Sequence, residues 1–385
     1  MITSVAFINA VSFTIIIPVL YPYAKQFGLS DFQASLLTTA YAASQFLGTP
    51  ILGRLSDRMG RKPLLILSLL GTVAANLVAS VAPFAWLLFI SRILDGVTGG
   101  NNSIAQAIIS DITKPEQRTK AFGVFGATFR LGFVAGPPLS YLAQVVPPLP
   151  GVSSLGMSFI VAAAIALVAT LLCALFLPET HQVCEKFEFS WSDFKLGHLV
   201  SSIQHPQFGR IFLLTFLSGF TFTIFTFAFQ PFFLNILNQT SGRLALTFAV
   251  VGVVGFIAQV FGLDPLRKKF DAVSILAFML AARGVLFLLI PAFPNLVAFG
   301  LIILVFSAVN SFPLPLIESI LSLRCGDHEQ GERLGTNASF LSLSNAVGPA
   351  TAGLLVSFGY SFPFWVTGGL TLLVAWFALS LKRSG

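Results

Sequence analysis

The sequence predicts an all-α membrane protein of twelve transmembrane helices in two pseudo-symmetric six-helix halves. Three observations predict it: an apolar composition, twelve apolar runs of crossing length, and a one-sided distribution of cations. Hydrophobic residues make up 55% of the 385 and charged residues only 10%, with a mean hydropathy of +0.87. Soluble domains carry about 25% charged residues, so a soluble enzyme is excluded. The net charge of +7 does not mark a nucleic-acid partner, because the cations lie in short loops between apolar runs and read as topology signals.

A run of about 20 apolar residues crosses a bilayer as a helix. The first, near 4–24, carries one polar candidate, Asn9; it is too long for a cleaved leader and has no small-residue cleavage site. The second, near 33–53, holds Gln45-x-x-Gly48 and leads into the basic segment Gly53–Lys62, read as a cytoplasmic hairpin. Gly53 and Gly60 allow close approach and a tight reversal. Asp57 can accept from backbone N–H groups or pair with a neighbouring arginine, and Arg54, Arg58, Arg61 and Lys62 hold the hairpin on the cytoplasmic side. Span three, near 63–82, is apolar. Span four, near 84–108, carries Arg92, Asp95, Asn101, Asn102 and Gln106. Span five, near 119–145, carries Arg130 and Gly132-x-x-x-Gly136-Pro137, and span six runs near 153–177.

A polar stretch, 178–208, containing Glu179, Glu185, Lys186, Glu188, Asp193 and Lys195, reads as a cytoplasmic linker between halves 1–177 and 209–385. Span seven, near 209–236, is crowded with phenylalanine on every face, so most of those rings must meet lipid or neighbouring helices. Span eight, near 243–264, repeats the glutamine motif as Gln259-x-x-Gly262. Asp264–Asp271 is then a decayed copy of the basic hairpin, with aspartates where the first has its glycines. Span nine, near 272–292, carries Arg283; span ten, near 296–321, Glu318; span eleven, near 332–357, Gly348-Pro349; span twelve lies near 360–381. With both termini cytoplasmic, seventeen of the 22 cations fall inside and two, Lys25 and Arg243, outside.

Charges inside the spans need partners or water, since a lone one costs roughly 2.5–3.5 kcal/mol at the bilayer centre on insertion scales. Arg92 and Asp95 are three apart on one helix face and can pair. Arg130 and Arg283 read either as cavity cations, one per half, attracting an anionic group of a substrate, or, for Arg130, as part of a structural network with Arg92 and Asp95. Asp95 or Glu318 is the candidate protonatable group; Glu318 can instead pair with Arg324. Asn9, Gln45 and Asn101 are hydrogen-bonding candidates for a substrate or for interhelical packing. Gly132, Gly136, Pro137, Gly348 and Pro349 are candidate helix bends. The three cysteines and four histidines have no metal-ligand or disulfide spacing, and no cofactor is expected.

The hairpin G-x-L-x-D-R-x-G-R-K resembles the signature loop of the major facilitator superfamily. Arg92-Ile-Leu-Asp95-Gly96, the glycine–proline motif of span five and Leu177-Pro178-Glu179-Thr180 extend the resemblance to the whole chain. Gly123 and the glycine–proline motif of span five resemble the drug/proton antiporter branch, and Ile16-Ile17-Pro18-Val19-Leu20 and Ser110-Asp111-Ile112-Thr113 resemble its tetracycline-efflux pumps. The resemblance implies a monomeric inner- or plasma-membrane carrier, not an enzyme. It would export a small amphiphilic compound by alternating access, with protons as coupling ion, and a latch joining the signature loop (Gly53, Asp57, Arg58, Gly60, Arg61) to span eleven. Those pumps carry membrane acids in spans one, three and nine; here Asn9, Ala75 and Arg283 stand there, and Ser140-Tyr141 replaces a glycine pair. That departure keeps open a metabolite or organic-anion carrier without proton coupling; a non-transporting membrane sensor is the remaining reading.

Overall fold

The computed structural model describes residues 2–180, 201–325 and 330–384, without the side chains of 115, 116, 118–120, 129, 130, 330–332, 383 and 384. The described residues form fourteen α-helices and no strand. They are α1 (Ile2–Gln26), α2 (Asp31–Met59), α3 (Arg61–Ser80), α4 (Ala85–Thr98), α5 (Asn101–Ile112), α6 (Pro115–Val145) and α7 (Gly156–Phe176). These are followed by α8 (Gly209–Pro231), α9 (Ser241–Lys269), α10 (Ala272–Ala292), α11 (Leu296–Asn310), α12 (Pro313–Arg324), α13 (Gln330–Val356) and α14 (Phe362–Leu379). Nine segments among the described residues combine the length and hydropathy of a membrane crossing, α11 and α12 counting as one. Adding α2, the α4–α5 pair and α6 gives twelve spans. Most of the expected linker, 181–200, lies outside the described residues.

Two expected spans are broken at mid-length, each for a backbone reason. Gly99 and Gly100 separate α4 from α5, and Ser311 and Phe312 separate α11 from α12, where Pro313 has no N–H to continue the ladder. The bilayer offers no water to the freed carbonyls, so side chains serve them. The carbonyl of Gly99 accepts from Gln45 Nε2 at 3.0 Å, and that of Thr98 from Ser68 Oγ.

The chain divides into two compact units. Unit 1 comprises α1, most of α2, α3–α7 and the first turns of α9; unit 2 comprises the first turns of α2, α8, the remainder of α9, and α10–α14. Within unit 1, Ser241 Oγ donates to Gln144 Oε1 at 2.9 Å; within unit 2, Gly353 lies against Ser35. Each unit has its own apolar core. Ile2, Leu65, Leu69, Ile104, Phe125 and Cys173 belong to that of unit 1, and Phe212, Leu276, Leu280, Leu316, Phe340 and Val374 to that of unit 2. The phenylalanines of α8 are largely core residues: Phe225 stacks on Phe287 at 4.7 Å and lies 4.5 Å from Phe306, while Phe229 stacks on Phe299 at 5.5 Å.

The same contact recurs in both units. Thr14 of α1 donates to the carbonyl of Gly132 on α6 at 2.8 Å, and a Cβ on Gly136 would collide with Thr14. In unit 2, Thr223 of α8 donates to the carbonyl of Ser344 on α13 at 3.2 Å, and a Cβ on Gly348 would collide with Thr223. In each case a hydroxyl bonds the carbonyl four residues before the glycine of a Gly-Pro pair, and the missing side chain gives it room. Both α6 and α13 run unbroken through Pro137 and Pro349.

The glycine, more than the hydrogen bond, should hold these pairs. Thr14→Val keeps the shape and should cost about 0.6 kcal/mol, whereas Gly136→Val should cost about 1–3 kcal/mol through overpacking. Thermal unfolding of the two variants in the same detergent checks the order.

Candidate functional site

The signature segment is not an open hairpin. Helix α2 continues to Met59, so Gly53, Asp57 and Arg58 are helical, and the chain reverses at Gly60 alone, with φ +98°. This corrects the role expected of Gly53: nothing lies within 4 Å of a Cβ built there, so neither a turn nor a close approach requires it. Arg61, one residue into α3, is the hub. It pairs with Asp57 at 2.5 Å and with Asp111, at the end of α5, at 3.1 Å, and it donates to Ser56 Oγ at 2.6 Å.

The first backbone N–H groups of α3 are served from far along the sequence. Glu179 accepts from Arg61 N at 2.9 Å and from Lys62 N at 3.1 Å, and a Cβ on Gly60 would stand 2.6 Å from its carboxylate. Gly60 therefore serves both the left-handed backbone and the approach of Glu179. The decayed copy solves the same problem locally. Asp271 caps α10 itself, accepting from Ser274 N at 2.8 Å, and pairs with Lys382 at 3.1 Å. The hydrogen bonds from Ser274, with Lys382 beside it, pull the Asp271 carboxyl down to about 2. No glycine is needed there, because Asp271 has an ordinary φ of −70°.

The intramembrane charges fall into two separate clusters. In unit 1, Arg92 (3% exposed) pairs with Asp95 (4% exposed) at 3.2 Å. It also donates to Asn76 Oδ1 at 3.2 Å and Ser91 Oγ at 3.1 Å, and lies 5.4 Å from the Phe159 ring. Gly96, one residue on, lets α4 touch the backbone of α2 near Tyr41 and Gln45. Asn9 and Asn101 bond each other at 3.1 Å, joining α1 to α5. In unit 2, Arg283 is buried and hydrogen-bonded to Ser218, Thr221 and Asn310. Glu318 is half-buried on α12, and the Arg324 guanidinium donates to the carbonyl of Leu381 at 2.8 Å. Arg130 lies on α6, its side chain outside the described residues. The structure thus brings together Asp57 with Arg61, Arg92 with Asp95, and Asn9 with Asn101, while Gln45 serves the α4–α5 break.

A model of the Major Facilitator Superfamily matches residues 2–203 and 211–384. The chain belongs to the Major Facilitator Superfamily. It is a multi-pass membrane transporter, not an enzyme. Among its relatives in the superfamily, tetracycline resistance protein class C of Escherichia coli is 31% identical over 377 residues, covering 95% of this chain and 90% of that protein. Multidrug resistance protein 1 of Bacillus subtilis (strain 168) is 28% identical over 377 residues, covering 96% of this chain and 94% of that protein. The fold matches the crystal structure of the human organic anion transporter MFSD10, with a TM-score of 0.74 and 22% identity, over 98% of this chain and 97% of that one.

Sequence reasoning missed the partners rather than the charges. Glu179 was visible as a linker acid and as part of a family motif, and its place at the start of α3, 118 positions away from Arg61, has no local signal. Asn76, Ser218, Thr221 and Asn310 are ordinary small polar residues in apolar runs, found only through the arginines they serve.

Three substitutions bear on the caps. Glu179→Ala should destabilise by about 0.5–2 kcal/mol, as loss of an N-cap does. Gly60→Ala should cost about 1–3 kcal/mol, from a residue forced into the left-handed region; detergent melting curves check both. The carboxyl of Asp271 is depressed on folding, so its stabilisation is complete above its unfolded value near 3.9 and is lost as pH falls towards about 2. The melting-temperature gap between wild type and Asp271→Ala should accordingly be open at neutral pH and close over that acid window.

Proposed function

We propose that this chain is a secondary active exporter of small amphiphilic compounds, working by alternating access and driven by the proton gradient. The observation that carries the reading is the near-complete coverage of a tetracycline resistance protein and of a multidrug resistance protein, at 31% and 28% identity. Geometry adds support from the charged groups. Arg61 ties the ends of α2, α3 and α5 together through Asp57 and Asp111, a rigid cytoplasmic corner suited to moving as one body. We assign this corner the latch role, on the cytoplasmic side together with both termini.

The proton route runs through Asp95. Its carboxylate is buried and held by one cation, so protonation would release Arg92 to its remaining partners, Asn76 and Ser91. A proton thereby becomes a change in hydrogen bonding between α3 and α4. The acids that the resemblance implies in spans one, three and nine are not needed for this route.

Reconstituted vesicles test the reading. With an imposed pH gradient, tetracycline should accumulate against its own gradient, and dissipating the pH gradient should abolish the accumulation. Asp95→Asn should lower gradient-driven accumulation about tenfold or more, equivalent to ~1.4 kcal/mol in the barrier, while leaving downhill exchange measurable. Transport by wild type that ignores the gradient would remove the proton coupling; an unchanged pH profile in Asp95→Asn would remove Asp95 from it.

A further inference from the structure

Arg92 and Arg283 are both buried among the spans, and their surroundings differ in kind. Arg92 has the carboxylate of Asp95 at 3.2 Å. Arg283, 2% exposed, has neutral acceptors only: Asn310 Oδ1 at 3.3 Å, the Ser218 carbonyl at 3.1 Å and hydroxyl at 3.2 Å, and the Thr221 hydroxyl at 3.0 Å. Its Nε, like that of Arg92, is buried and meets no acceptor. Among the described residues no carboxylate lies within ion-pair distance of it. A guanidinium keeps its charge at every working pH, so unit 2 holds a positive charge that no described residue balances.

A structural strap does not account for that charge. A neutral amide at position 283 could bond Ser218 and Thr221 without the cost of an uncompensated ion, roughly several-fold larger than that of a neutral polar group in the same place. We propose that Arg283 is the cargo-recognising cation of this transporter, and that its cargo carries a single oxyanion, a carboxylate or an enolate, on an apolar body. This rests on the exporter reading above and narrows it to one substrate class.

The geometry also says where the oxyanion enters. Ser218 and Thr221 are buried on α8, whereas Asn310 and the adjoining Ser311 are half-buried at the break between α11 and α12. The Asn310 contact is the longest of the four. An arriving oxyanion displaces the Asn310 amide and takes up the donors on that side, exchanging a neutral acceptor for a charged one. A helix break is where such an exchange disturbs the fewest backbone hydrogen bonds.

Ligand-induced stabilisation of the detergent-purified full chain tests this at fixed pH and ionic strength. The probes are sodium acetate, benzoate and naphthalene-1-acetate, each beside its neutral primary amide. The naphthalene carboxylate should raise the melting temperature at a concentration about tenfold or more below that of its amide, the weight of one charge-assisted hydrogen bond. Arg283→Gln should erase that preference. Asn310→Asp supplies the second arm, for which the folding of Arg283→Gln is immaterial. An aspartate there puts a built-in counter-ion 3.3 Å from the guanidinium; it should raise the melting temperature by itself and abolish the response to carboxylates. Equal responses to acid and amide in wild type, no response to any carboxylate, or a preference that survives Asn310→Asp overturns the proposal. An acetate response equal to that of naphthalene-1-acetate assigns the site to small free anions and also overturns it. Vesicle export of tetracycline is read separately, so that failure of the exporter reading is seen independently of the carboxylate response.

Discussion

Inside an apolar slab every polar group must be answered by another protein group, because no water is there to answer it. Most of the specific contacts in this chain follow from that constraint. Two of the twelve spans are broken, which frees backbone carbonyls, and at the first break those carbonyls recruit Gln45 and Ser68. Where helices must touch, hydroxyls are spent on carbonyls of the neighbour: Thr14 on Gly132, Thr223 on Ser344, Ser91 on Ala75, Ser12 on Ala162. Each such bond requires close backbone approach, and so a small residue beside it. The glycines and hydroxyls of the spans are therefore one device, repeated in the two units with the same four-residue spacing between carbonyl and glycine.

The ends of the helices obey the same accounting outside the slab, and they explain why the two copies of the basic segment diverged. A helix start leaves N–H groups without intrahelical partners. In unit 1 the acceptor is Glu179, arriving from beyond the end of α7, and only a glycine at position 60 leaves it space. In unit 2 the acceptor is Asp271, already at the cap, and the residue arriving from beyond the end of α14 is Lys382, which meets the cap as a cation. The acid has moved from the incoming segment to the cap, and a cation arrives in its place. Once the acid sits at the cap, the glycine has no remaining work, and its loss in the second copy carries no structural penalty.

Much of this was legible beforehand. Apolar runs located the spans because crossing length is a hard constraint, and the pairing of Arg92 with Asp95 followed from their separation on one helix. The helix breaks were not foreseen: an apolar run through Gly99-Gly100 or Phe312-Pro313 has the same hydropathy whether or not its ladder is continuous. The signature segment was read as a loop because it is polar, although nothing in polarity prevents α2 from running on to Met59 once it has left the membrane. The phenylalanines of α8 were ambiguous for the opposite reason. A helix apolar on every face does not say which face meets lipid; the rings of Phe287, Phe299, Phe306, Phe340 and Phe364 on other helices fix it.

The positions where this chain departs from the tetracycline-efflux pattern are where its polar contacts are informative. Asn9 is used up by Asn101, and the carbonyl of Ala75 by Ser91, whose hydroxyl also receives Arg92. Neutral pairs of this kind hold helices together but cannot take or release a proton near neutral pH. If the gradient drives transport, the titrating group must then be a carboxylate elsewhere, and Asp95, paired with the buried Arg92, is an intramembrane candidate. At the third position, where the resemblance implies an acid, this chain has Arg283. A cavity that presents an acid selects a cation or a proton; one that presents an arginine selects an anion. With Asp95 for the proton and Arg283 for the cargo, as proposed, coupling and recognition would fall on different residues in different units, so that substrate charge could change without dismantling the proton route.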